Sequence, residues 1–143
     1  MTMQVVPAMP GLMWEANDER AVLVSTIATG KVALALRAHM DDPDQRSVVL
    51  AWADSVASAW SAINDEGRFA HWLYSLGLDK LLWLGVVQGS DWQVGGRIPG
   101  PEPLQHFIIG LKDGVVEVLA TDVVVLRSDQ PPLKAAAAAA AEC

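Results

Sequence analysis

The residues of this chain best suited to moving protons are three histidines, His39, His71 and His106, because an ordinary imidazole titrates near pH ~6.5. They stand far apart in sequence. His71 lies in "RFAHWLYS", and Asp79, Asp91 and Glu102 are acids that folding could bring to it, but nothing local pairs them. Helical direction turns His71 away from the Phe69–Trp72–Leu76 face, toward solvent. His71 and His106 are the polar groups that a pocket between sheet and helices would use.

Other chemistry is harder to assemble. There is no H-E-x-x-H, and a metal needs three ligands in a geometry that isolated histidines do not specify, so no metal is expected. "DDPD", Asp41 to Asp44, lacks the spaced oxygens of a calcium loop and reads as helix capping. "GGRIPG", Gly95 to Gly100, is not a phosphate loop, and no cofactor motif occurs; none is expected. Ser25, Ser55, Ser58 and Ser75 lack an activating G-x-S-x-G. The single cysteine, Cys143, excludes an internal disulfide and has no visible activating neighbourhood. No catalytic residue is assigned, and a non-enzyme is the favoured reading.

Tryptophan is over-represented, with six copies against two Phe and one Tyr. Its large rigid ring suits interfaces and ligand pockets. Trp52 and Trp60 share a helical stripe and read as core. Trp14 and Trp92 lie in polar or glycine-rich surroundings, flanked by Glu15, Asp18 and Asp91. These five residues are the interface candidates: an aromatic anchor rimmed by charges that orient an approaching surface.

The elements that would hold these groups follow from periodicity. Asp42, Pro43 and Gln45 open a capped helix over Pro43–Ile63, in which Val49, Trp52, Val56, Ala59 or Trp60, and Ile63 recur every three or four residues. Residues 20–40 are ambiguous between hairpin and helix; the alternation of Val32, Leu34 and Leu36 favours a hairpin turning at Thr29-Gly30. "GRFAHWLYSLG" predicts a short helix stopped by Gly77. "DKLLWLGVVQG" is strand or helical turn, and Gly89–Pro103 is a loop. "LQHFIIGLKDGVVEVLATDVVVLR" predicts a hairpin about Lys112-Asp113-Gly114, then a bend at Thr121-Asp122 and a further strand. The fold class is therefore α+β, an antiparallel sheet with helices packed mainly on one face. Residues 1–130 read as one compact domain and 131–143 as a Pro-led, Ala-rich C-terminal tail.

With 143 residues, 52% hydrophobic content and a net charge of −7, the chain buries a core of its own and is not a disordered segment. The acidic balance argues against nucleic acid as a partner, since phosphates demand a basic face. No apolar run spans a membrane, and no signal peptide opens the chain, so a cytoplasmic setting is expected. The resulting expectation is a non-catalytic protein-interaction module: an adaptor, a structural subunit or an inhibitory, immunity-type partner, binding another protein or itself as a homodimer. The alternative is a small-molecule-binding protein or cofactor-free enzyme.

Overall fold

A computed structural model of the chain describes residues 3–92 and 104–142. Among the described residues, nine strands and one α-helix follow in order: β1 (Gln4–Pro7), β2 (Val22–Thr26), β3 (Lys31–Leu36), β4 (Ser47–Trp52), β5 (Ala57–Ser61), β6 (Leu84–Gln88), β7 (Gln105–Gly110), β8 (Val115–Ala120), β9 (Val124–Ser128) and α1 (Pro132–Ala141). The strands form two antiparallel sheets, one ordered β1-β6-β7-β8-β5 and the other β2-β3-β4-β9. Helix and turns pack on them, an α+β fold.

Period-2 alternation sorts the side chains into three layers. On β3, Val32, Leu34 and Leu36 meet Val48, Leu50 and Trp52 of β4 and, across the gap between sheets, Leu84, Phe107, Ile109, Val116 and Val118. The small residues between them, Ala33 and Ala35, face the opposite way with Val49 and receive Ala135, Ala136 and Ala140 of α1. The outer face of the five-stranded sheet carries Val5, Val87, Ile108 and Val115 beneath Leu73, Leu78 and Leu81.

The helix expected over Pro43–Ile63 does not form: this stretch is β4, a corner and β5. The three-to-four-residue stripe joins residues that belong to different layers, Val49 against α1 and Trp52 in the central core. Because both faces of β4 are covered, its sequence reads as a continuous apolar run, which periodicity alone does not separate from a buried helix. The residues that resemble a helix start make side chain–backbone turns instead. The Asp44 N–H donates to Asp42 Oδ1 at 2.9 Å, and the Arg46 N–H to Asp44 Oδ1 at 3.0 Å.

At the corner, Asp54 takes φ +55°, a left-handed conformation that Asp tolerates better than most residues. Val56 N–H and the start of β5 both meet Leu119, a bulge that bends the chain from one sheet to the other. The return crossing, β8 to β9, passes through Thr121-Asp122 as a bend.

"GRFAHWLYSLG" forms short 3-10 turns, Arg68–Ala70 and Tyr74–Leu76, rather than one helix. Arg68 ties them to the β7–β8 hairpin by donating to the Leu111 carbonyl at 2.7 Å. Gly77 takes φ +121°, and a Cβ there would sit 2.4 Å from the Val5 carbonyl oxygen, so the turns press onto β1 only with glycine. Residues 20–40 form the hairpin β2–β3, paired from Val22↔Ala35 to Thr26↔Lys31. The alanine run is a helix docked on β3, its Ala140 carbonyl accepting from Thr29 Oγ1 at 2.7 Å.

Candidate functional site

One buried polar constellation lies under the turns. His106 on β7 and Glu117 on β8 point to the same outer face, because Glu117 pairs with Ile108, two residues along from His106. His106 Nε2 lies 2.8 Å from Glu117 Oε1, and Ser90 Oγ lies against His106 Nδ1. The Trp92 N–H donates to Ser90 Oγ at 3.1 Å. Every group is satisfied when Ser90 donates to Nδ1 and the imidazole donates from Nε2 to the carboxylate.

His71 approaches from the turns. Its Nδ1 accepts the Leu73 N–H at 3.0 Å, which places its proton on Nε2, 3.5 Å from Glu117 Oε2. That contact is an electrostatic one and is not aligned as a hydrogen bond. Two imidazole N–H groups thus face one carboxylate, the arrangement a buried negative charge requires.

Ser90, His106 and Glu117 have the order of an acyl-transfer relay. Their setting differs from one. Ser90 and His106 are fully buried, and the Trp92 ring lies flat over His106, centroids 4.3 Å apart and 1° from parallel. Among the described residues Ser90 has no open side. The constellation joins β7, β8, the 3-10 turns and the segment after β6.

The sequence-derived interface candidates scatter. Trp14 is 2% exposed and packs edge-on against Trp83. Asp18 is buried too, its carboxylate accepting the Arg37 N–H and the Arg20 N–H, each at 2.7 Å. Neither offers its side chain to an approaching surface. Glu15 is partly exposed and accepts from Asn17 N–H. Asp91 is exposed, whereas Trp92 covers His106. His71 and His106 meet at Glu117, and His71 is buried rather than turned to solvent, because the segment forms 3-10 turns instead of the expected helix. The Gly89–Pro103 loop lies mostly outside the described residues.

The accessible feature is elsewhere, on the flank of the sandwich between the edges of β2 and β5. A cavity of about 410 Å³ there is walled by Leu23, Leu34, Val116, Trp60 and the buried Asp18, with Glu19 and Asp113 at its rim. A second, separate cavity of about 330 Å³ lies between the same strands, along Ser25, Thr26, Val32 and Ser55–Ser58. Trp60 is 60% exposed. Gly114 makes room for its indole: a Cβ there would meet Trp60 Nε1 at 2.3 Å. A larger opening of about 560 Å³ lies between β1 and the turn around Gly77, lined largely by chain that packs those two segments together.

Sequence reasoning passed over Glu117, Ser90 and the role of Trp60. Glu117 carried a signal, since a lone carboxylate inside "VVEVL" must find partners where the strand is buried. Ser90 and Trp60 carried none, because their roles depend on which strands end up at the sheet edges.

The chain matches no protein-family model, no curated protein and no solved structure.

Proposed function

We propose that this chain is a non-catalytic interaction module and that its binding surface is the β2–β5 flank. The observation that carries this reading is an exposed tryptophan standing over an apolar cleft between two strand edges, neither of which is paired by another described strand. Most well-formed sheets cover or charge such edges. An aromatic anchor beside an apolar cleft with an acidic rim has the make-up of an interface hot spot.

The test is quantitative recovery of bound protein on the immobilised full chain, with Trp60→Ala and Trp72→Ala compared in parallel. Trp72, half-exposed over His71 on the opposite face of the sheet, is the control. Recovery falls by about tenfold or more for Trp60→Ala, a hot-spot loss, and is unchanged for Trp72→Ala. Equal recovery by wild type and Trp60→Ala would overturn the assignment. A second reading, a small-molecule site in the same cleft, draws on the cavity under Trp60, whose volume falls in the range of ligand pockets. A compound that raises the melting temperature of wild type but not of Trp60→Ala, with no macromolecule recovered, would favour it.

A further inference from the structure

We infer that the flank takes an extended peptide, added as a strand antiparallel to β5, with a basic residue at its N-terminal end beside Trp60. The inference rests on the flank being the binding surface and names its occupant.

The hydrogen-bond phase of the sheet supplies the first argument. The Leu111 N–H donates to the Gly114 carbonyl and closes the β7–β8 hairpin. Counting along β8 by twos, Val116 and Val118 bond toward β7, while Val115, Glu117 and Leu119 bond toward β5. Their partners there are Ser61, Ala59 and Ala57. Ser58 and Trp60 are left with N–H and C=O groups turned away from β8, on an edge that no described strand pairs. Two residues so spaced match one repeat of an added antiparallel strand.

The shape of the cleft supplies the second. The side chains of Ser58 and Trp60 point inward on the face they share with Val116 and Val118. One cavity lies at Trp60 and a separate one at Ser58, with no lining residue in common. A five-residue strand such as β5 is roughly 16 Å long. Alternate side chains of a peptide on that edge would enter the cleft over Leu23, Val32 and Val116, which calls for apolar residues at those positions.

Charge fixes the direction. At the Trp60 end the wall holds Asp18, Glu19 and Asp113; Asp18 is occupied by Arg37 and Glu19 by Lys112, while Asp113 makes no salt bridge among the described residues. At the other end the wall is Ser25, Thr26, Ile27, Ser55 and Ser58, without charge. Because β5 runs from the neutral end to the acidic one, an antiparallel peptide begins at the acidic end. A cation there meets Asp113 and the face of the Trp60 indole. A second copy of the chain is a poorer occupant, since each copy carries a net charge of −7.

The experiment uses the full chain and two displayed libraries of roughly ten-residue peptides with apolar residues at alternate positions. One library fixes Arg at the first position, the other Glu. The Arg library is expected to enrich and the Glu library not to. A selected peptide should lose about tenfold in affinity against Asp113→Asn and more against Trp60→Ala, and on binding should slow amide exchange at Ser58 and Trp60. Equal enrichment of both libraries, or a bound peptide that leaves those two amides unprotected, would overturn the inference. Failure of both libraries while protein recovery still depends on Trp60 would overturn strand addition and leave the flank as the interface. Recovery independent of Trp60 would remove both.

Discussion

Trp52 is a residue whose full burial sets its energetics. It has no exposed surface, and its ring meets Phe107 across the sheets, centroids 6.1 Å apart. Its Nε1 is also one of the buried atoms with no hydrogen-bond partner. Truncation to alanine removes the ring and leaves a cavity between the two sheets, so Trp52→Ala should cost about 3–5 kcal/mol. Trp52→Phe loses less, because shedding the unpaired N–H recovers part of a penalty of roughly 1–3 kcal/mol. Urea midpoints for the two variants check the order; a phenylalanine variant as unstable as the alanine one would mean that the indole N–H is satisfied in solution. At this scale the sequence marks Trp52 as core but not what it packs on. The stripe that singled it out is helical, while its actual neighbours are Val32 of β3, paired with it from earlier in the chain, and Phe107 of β7 in the facing sheet.

The elements divide by how local their cause is. The hairpins were legible, because the left-handed Gly30 and the alternation of Val32, Leu34 and Leu36 are short-range signals. The second hairpin forms where expected but turns on Lys112-Asp113, without a left-handed Asp-Gly pair. The 43–63 segment was not, because its choice between helix and strand depends on what covers each face of β4. The "AAAAAAA" run hid its docking for a related reason. Alanine is a poor marker of burial, and only the matching smallness of Ala33 and Ala35 lets a helix lie close to the sheet. That closeness is testable. Ala136 is fully buried against the sheet and Ala137 is exposed. Ala136→Leu overfills the contact and should cost about 1–3 kcal/mol. Ala137→Leu should stay within about 0.5 kcal/mol of wild type. Thermal denaturation of the pair checks it, and equal melting temperatures would show the helix to be undocked.

For the molecule as a whole, three crossings between sheets, β1 to β2, β4 to β5 and β8 to β9, tie the sandwich together. The Asp41–Arg46 turn is fastened to the last crossing's far strand. Arg127 of β9 bonds Asp42 and donates to the Asp44 carbonyl at 3.0 Å. The Arg127 guanidinium holds the Asp42 carboxyl below its ordinary value, and Arg46 holds Asp44 down to about 2. Both carboxyls are therefore more acidic in the folded chain than in the unfolded one. Their contribution to stability is fully present above the ordinary carboxylate value of 3.8. It is lost as pH falls through the folded values toward about 2. Arg127→Ala releases Asp42 and takes part of that dependence away. The expected result is a wild-type melting temperature that drops between pH ~4 and ~2 more steeply than that of Arg127→Ala, with the two curves converging at the acid end. Parallel curves across the whole range would mean that the Arg127 clamp holds no more proton-linked stability than a solvated surface pair.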